Sequence, residues 1–424
     1  MTTPVALSEK KLPSVESIVK AHLRLKGIAA HTPLMHNLNL SDRYQAGIYL
    51  KREDLQIVRS YKIRGAYNMI SSLSKKELAK GVVCASAGNH AQGVAYACRK
   101  LGLKGVIFMP NPTPSQKVTQ VKMFGKENIE IVLTGDTFDD SYAEALKHSE
   151  EFGKVIIPPF DHHKIIEGQG TVGIEIMEDA DVDIDYLFAP IGGGGLIAGV
   201  GSYIKQISPN TKIIGVEPEG APAMKNALEI GEVVTLESID KFVDGAAVKR
   251  VGQSNFDIVK QIVEDVVLVP EGKVCSTILK LYNEEAIVVE PAGALSIAAL
   301  DFYKEEIKGK NVVCIVSGSN NDITRMEEIK ERSLLYEGLK HYFIVRFPQR
   351  AGALREFVSK VLGTNDDITH FEYTKKVNRE RGPALVGVEL KHPKDFERLM
   401  RNMDKYNISY ELLNERFDIF NFLF

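Results

Sequence analysis

From about Gly47 to Ser317 short, β-rich apolar runs alternate with longer stretches whose apolar positions recur at helical spacing. Residues 81–84 precede an amphipathic stretch at 90–101, residues 105–109 precede 115–124, and residues 129–133 precede 138–151. Farther on, 186–189 leads into 196–207, and 212–216 into 222–230. Strand, loop and helix in repetition predict an α/β fold with parallel sheets covered on both faces.

Around residues 333–338 the rhythm changes. Strand (340–347), helix (351–362), two strands (368–375 and 384–390), helix (393–405) and strand (409–413) follow one another. That order is a single βαββαβ unit, the split βαβ pattern of a ferredoxin-like α+β domain. The charged stretch at 322–332 serves as the connector. The expected division is a first domain over 1–335, with a smaller subdomain at about 60–155 inserted in it, and a second over 336–424.

Length agrees with this division, because 424 residues exceed what one hydrophobic core usually serves. Hydrophobic residues at 44% and charged residues at 26% are ordinary globular usage. With 53 basic and 56 acidic residues the net charge is -3, which offers no electrostatic case for nucleic acid or an anionic membrane surface. Small molecules and copies of the chain itself are the expected partners. The stretch from Met1 to Lys11 has no signal-peptide pattern, and no apolar run is long enough to span a bilayer, so a cytoplasmic location is expected.

Cys84, Cys98, Cys275 and Cys314 lie far apart and mostly in apolar segments, as buried free thiols do. No pair has metal-ligand spacing, and the doublet His162-His163 has no partner cluster nearby, so no metal site is expected.

Four segments carry candidate chemistry. In Ser60-Tyr61-Lys62-Ile63-Arg64-Gly65-Ala66 a lysine beside an aromatic opens a helix after an extended run, where it can be drawn inward. Most lysines are solvated surface residues, so this segment alone carries little weight. In Ser86-Ala87-Gly88-Asn89-His90, between a strand and a helix, small residues leave backbone N–H groups open to a carboxylate. Asn89 has an equally good reading as a helix cap. Gly192, Gly193, Gly194, Gly195 and Leu196 also join strand to helix; four glycines are entropically costly to order and permit close main-chain approach to a ligand. A phosphate on the helix dipole suits them, and the spacing matches neither a dinucleotide fingerprint nor a nucleotide-triphosphate loop. Finally, Ser317-Gly318-Ser319-Asn320-Asn321 ends an apolar strand, where ligands of open α/β sheets gather, although a plain turn would read the same.

Lysine, amide-bearing loop, glycine loop and serine loop, in this order, resemble the fold-type II pyridoxal phosphate enzymes, the family of tryptophan synthase β-subunits. Ser-Tyr-Lys-Ile-Arg-Gly-Ala with Ser-Ala-Gly-Asn-His-Ala-Gln-Gly is similar to the threonine and serine dehydratase branch, over roughly Ser14 to Arg332. The resemblance implies two open twisted sheets and pyridoxal 5'-phosphate. It makes Lys62 the Schiff-base lysine, Asn89 the partner of the ring hydroxyl, Gly192 to Leu196 the phosphate cradle and Ser317 the partner of the ring nitrogen. Ser86, Ala87, Gly88, Asn89 and His90 would bind the substrate carboxylate.

Three features bear on the reaction. A neutral Ser317 hydroxyl does not enforce a protonated ring, which favours elimination over transamination. Ala87 stands where racemases of this family carry a serine, and alanine moves no proton. Near Glu217, where those racemases hold a divalent ion, residues 217–223 contain no aspartate. Phe347-Pro348 followed by Gly352-Ala353-Leu354 resembles the effector loop of ACT-like domains in biosynthetic threonine dehydratases, which isoleucine inhibits. L-threonine as substrate, isoleucine as effector and a homodimer or homotetramer are the expectations. Serine dehydratase, serine racemase and a non-enzymatic amino-acid sensor are the alternatives.

Overall fold

The computed structural model describes residues 12–373 and 381–414. Residues 1–11 and the last two positions of the strand expected at 368–375 lie outside the described residues. The chain forms two units, Met1–Asp322 and Ile323–Phe424.

The first unit contains two sheets. Strands β1 (Leu34–His36) and β2 (Gly47–Arg52) begin the larger one. Strands β3 (Val82–Ala85), β4 (Gly105–Met109), β5 (Ile129–Leu133) and β6 (Val155–Ile156) form the smaller, in the order β5-β4-β3-β6 and parallel throughout. The chain then returns to the larger sheet with β7 (Tyr186–Pro190), β8 (Lys212–Pro218), β9 (Asp265–Val269) and β10 (Asn311–Val316). Its order is β1-β2-β10-β7-β8-β9. Strand β1 pairs antiparallel with β2 and the other pairs are parallel, so this sheet is mixed at one edge.

Burial explains the continuous apolar runs of the inner strands. Every residue of β7 is buried, and so is all of β10 after Asn311, because helices cover both faces. Helix Lys62–Ser71 lies close against helix His163–Asp179, where a Cβ on Gly168 would stand 2.7 Å from the Arg64 carbonyl oxygen. A bare glycine there lets the backbones approach and seats the helix that begins at Lys62.

The second unit opens with helix Met326–Tyr336, whose Glu331 accepts from Lys340 Nζ at 2.5 Å and from the Tyr342 hydroxyl at 2.6 Å. The stretch at 322–332, expected to be a connector, is thereby tied to the strand that follows it. Strands β11 (Lys340–Pro348), β12 (Asp367–Tyr373), β13 (Arg381–Glu389) and β14 (Ser409–Leu412) form an antiparallel sheet in the order β12-β13-β11-β14. Helices Ala353–Lys360 and Asp395–Lys405 supply Phe357, Leu399 and Met403 to a core shared with Phe343, Val345 and Val386. Order and topology are those of a ferredoxin-like unit. Among the described residues, no helix is long and apolar enough to cross a membrane.

Candidate active site

All four sequence motifs lie beyond the carboxyl ends of sheet strands. The chain leaving β10 runs beside the approach to Lys62: Tyr61 N donates to Ser317 O at 3.2 Å, Ser319 N donates to Arg59 O at 2.9 Å, and Ser60 bridges Gly318. These bonds bring the serine loop to the lysine. The extended run expected before Lys62 is not there. Strand β2 ends at Arg52, and the chain reaches Lys62 through a 3-10 turn at Glu53–Leu55 and a bend in which Arg59 takes a φ of 59°. Its backbone partners come from 317–319 rather than from a neighbouring full strand, which no local pattern announces.

Lys62 is the first residue of its helix, and its Nζ donates to Pro159 O at 2.9 Å. Burial pushes its amine down to about 8, against a smaller opposing effect of the Glu290 carboxylate.

Ser86 to Asn89 are half-buried between β3 and helix Asn89–Leu101. Gly88, not Asn89, is the helix cap, and its N–H is taken by Ser86 Oγ at 3.3 Å. Asn89 instead sends its side chain across the cleft: Nδ2 donates to Glu290 Oε1 at 2.7 Å, and Oδ1 accepts from Asn320 Nδ2 at 2.6 Å. The His90 ring is turned away, with Nε2 2.8 Å from Ile157 O. Burial, assisted by the Lys62 charge, lowers its pKa to about 3, so the ring is neutral.

The glycine run is a close-packed shell. A Cβ on Gly193 would meet Phe160 Cγ at 2.2 Å, and one on Gly192 would stand 3.0 Å from Ala246 Cα. Gly194 takes a φ of 92° as the cap of helix Gly195–Ile207. Side chains are therefore excluded on steric grounds, and the leading N–H groups of a thirteen-residue helix point out of the loop.

Sequence reasoning missed three contributors. Glu290 is 5% exposed, and burial followed by the charge of Asp244 raises its carboxyl to about 7 despite the Asn89 hydrogen bond and Lys117. Asp244 and the following Gly245-Ala246 wall the cleft opposite, with Asp244 Oδ2 2.6 Å from Lys117 Nζ. Phe160 covers the glycine loop, while its neighbour Asp161 accepts from Gln253 N and Ser254 N. A glutamate before a proline at a helix start reads as a surface cap, so Glu290 gave only a structural signal.

A family model described as pyridoxal-phosphate dependent enzyme matches residues 25–318. The chain belongs to the pyridoxal-phosphate dependent enzyme family. A second model, the C-terminal regulatory domain of threonine dehydratase, matches residues 331–423 of this family member. The biosynthetic L-threonine dehydratase IlvA of Halalkalibacterium halodurans is 62% identical over 409 residues, 96% of this chain and 99% of that protein. Its counterpart in Bacillus subtilis is 58% identical over 417 residues, 98% and 99% of the two chains. Among solved structures, the processed threonine deaminase isoform 2 of Solanum lycopersicum superposes with a TM-score of 0.72 at 42% identity, covering 79% of this chain and 93% of that one. Maize serine racemase superposes with a TM-score of 0.71 at 31% identity, covering 77% and 99%.

Pyridoxal phosphate is the cofactor of this family, and the cleft suits it. The run at 192–195 packs so closely against Phe160, Met224, Ala246 and Asn255 that it can hold no side chain, which leaves bare backbone to meet a phosphate. A lysine amine of lowered pKa stands ready for an aldehyde. Ser60 Oγ and Asn255 Oδ1, which flank Lys62 and Gly193, are buried without partners among the described residues, which is polar capacity that the protein itself does not use.

Proposed function

We propose that this chain deaminates L-threonine to 2-oxobutanoate and ammonia, the first step of isoleucine biosynthesis, and that isoleucine inhibits it through the C-terminal unit. The observation that carries the chemistry is the enclosed Lys62 amine at the meeting point of the serine, asparagine and glycine loops.

Pyridoxal phosphate, when bound, supplies an electron sink for negative charge developing at the substrate Cα. Lys62 holds it and later removes the Cα proton. An amine brought down to about 8 has an appreciable neutral fraction at working pH, as a base requires. The backbone N–H groups of 192–196 hold the phosphate, and the loop at 86–90 wraps the threonine carboxylate. Asn89 binds the ring oxygen. Ser317 meets the ring nitrogen as a neutral partner. Loss of the β-hydroxyl then outcompetes transamination.

Serine racemisation is the nearest alternative, given the likeness to a racemase structure. It needs a second acid/base on the opposite substrate face, where Ala87 has none to offer. The Glu217 carboxylate is also engaged, accepting from Met224 N at 2.7 Å and Lys225 N at 2.9 Å at the start of helix Ala223–Ile230. A symmetric oligomer fits a regulated enzyme of this type.

A keto-acid assay with threonine and serine, each with and without isoleucine, tests substrate and regulation together. Threonine should be turned over, isoleucine should raise the threonine concentration needed, and Lys62→Ala should abolish both the yellow colour and turnover. A colourless protein inactive on both substrates would point to the sensor alternative.

A further inference from the structure

The Asn89 carboxamide has one donor end and one acceptor end of nearly the same shape, so what faces the cofactor depends on which way round it is held. Its two ends are bound by different groups, Nδ2 by Glu290 Oε1 at 2.7 Å and Oδ1 by Asn320 Nδ2 at 2.6 Å. Asn320 is itself an amide and could in principle be reversed. Its Nδ2, however, also donates to the Val58 carbonyl oxygen at 3.0 Å, and a backbone carbonyl cannot donate. Reversing Asn320 would set its oxygen against two acceptors at once.

The chain of bonds is thus anchored at one end by the Val58 carbonyl, which only accepts, and at the other by Glu290, whose Oε1 accepts from Nδ2 and can do so whether the group is ionised or carries its proton on Oε2. Other features hold the carboxylate in place. Glu290 N donates to Gly318 O at 3.2 Å, which ties its backbone to the serine loop. Gly318 is bare where a Cβ would come within 2.4 Å of Glu290 Oε1. The arrangement leaves Asn320 Oδ1 buried and without a partner among the described residues. A lost hydrogen bond is tolerated here to keep the polarity.

We propose that Glu290 and Asn320 are positioning residues that fix the orientation of the Asn89 amide, so that Asn89 presents its second Nδ2 hydrogen, a donor, to the cofactor ring oxygen. This rests on the assignment of Asn89 to that oxygen. A donor there favours the anionic oxygen, whereas an acceptor would repel it. The polarity of one amide thereby sets the electronic state of the ring, and the visible absorbance of the lysine-bound cofactor reports it.

Absorbance spectra of holoenzyme variants test this. Asn320→Asp replaces the donor with acceptors and favours the reversed Asn89. Its absorbance maximum should shift, and kcat should fall about tenfold to a hundredfold with little change in KM. Asn320→Ala removes the anchor without adding a buried charge and should shift the spectrum less, which keeps the test alive should Asn320→Asp fold poorly. Glu290→Gln retains an acceptor and should keep the native spectrum, whereas Glu290→Leu should not. Native spectra in Asn320→Asp, or in Asn320→Ala where only that variant folds, and in Glu290→Leu, at full cofactor occupancy, would overturn the proposal while leaving the assigned function standing. A wild-type protein without the yellow absorbance would overturn both.

Discussion

Arg64 and Glu175 face each other as a buried two-point ion pair, Nη1 to Oε1 at 2.6 Å and Nη2 to Oε2 at 2.7 Å. The same guanidinium grips Glu53 through Nε at 2.8 Å and Nη2 at 2.7 Å, and Lys51 Nζ reaches Glu175 at 2.8 Å. Two positive and two negative charges are enclosed together, two residues beyond Lys62. The cluster ties the Lys62 helix to the 3-10 turn, to β2 and to helix His163–Asp179.

Removing one member leaves the others buried and unpaired, which is far costlier than the net worth of the pairs. Arg64→Met should destabilise the apoprotein by roughly 3–5 kcal/mol. Arg64→Lys, which keeps the charge but loses the fork, should cost less. Denaturant unfolding reads both. Burial pushes the Glu175 carboxyl up, but Arg64 and Lys51 hold it well below the usual carboxylate range. Its contribution is present above the unfolded pKa and is lost as pH falls toward the folded one.

The opposite sign applies to Glu290, whose carboxyl is raised from 4.5 to about 7, chiefly by burial and then by Asp244. A raised folded pKa means that the native state holds its proton where the unfolded chain has released it. The resulting stability is full below pH 4.5 and is lost as pH rises through about 7. Glu290→Gln removes this loss. The apoprotein variant should gain on wild type between these values by at most about 3 kcal/mol, seen as a widening difference in Tm. Parallel Tm curves for the two proteins would contradict the raised carboxyl.

Space is the decisive quantity at Gly193. A methyl group 2.2 Å from Phe160 Cγ must displace the ring or the loop whose N–H groups face the cradle. Overpacking of this kind costs about 1–3 kcal/mol, so Gly193→Ala should weaken pyridoxal phosphate binding by roughly tenfold to a hundredfold. Adding Phe160→Ala should recover part of it. Titration of the apoprotein with cofactor, followed by absorbance, checks both.

How far the fold was legible can be judged from particular segments. Strands β4 and β5 have the bounds their apolar runs predict: β4 is buried throughout and declares itself by composition alone, and β5, half-exposed at the sheet edge, shows itself through its β-branched residues. The ferredoxin-like unit was legible in the order of its strand and helix patterns. The approach to Lys62 was not, since residues 59–61 owe their path to backbone bonds with 317–319. His90 shows the limit of a motif: its position at the loop was clear, but its ring is committed to Ile157 O in the interior. Glu290 and Asn320 gain their meaning from Asn89, far away in sequence, and periodicity carries no information about such pairs.

Regulation makes a prediction that rests on linkage. The second unit has the βαββαβ order and its own core, and residues 331–423 match a threonine dehydratase regulatory domain. If isoleucine binds there and raises the threonine concentration required, saturating the active site must weaken isoleucine binding by the same factor. Calorimetric titration of the holoenzyme with isoleucine, with and without a non-reactive threonine analogue, should give two affinities whose ratio equals the ratio of analogue affinities measured with and without isoleucine. Couplings of this kind are typically 5- to 150-fold. Deleting residues 339–424 should remove the isoleucine effect and spare turnover. Inhibition that survives the deletion would move the effector site into the first unit. Ratios of one would mean that isoleucine alters a rate and not an affinity, and ratios that grow without limit with ligand concentration would mean competition for one site.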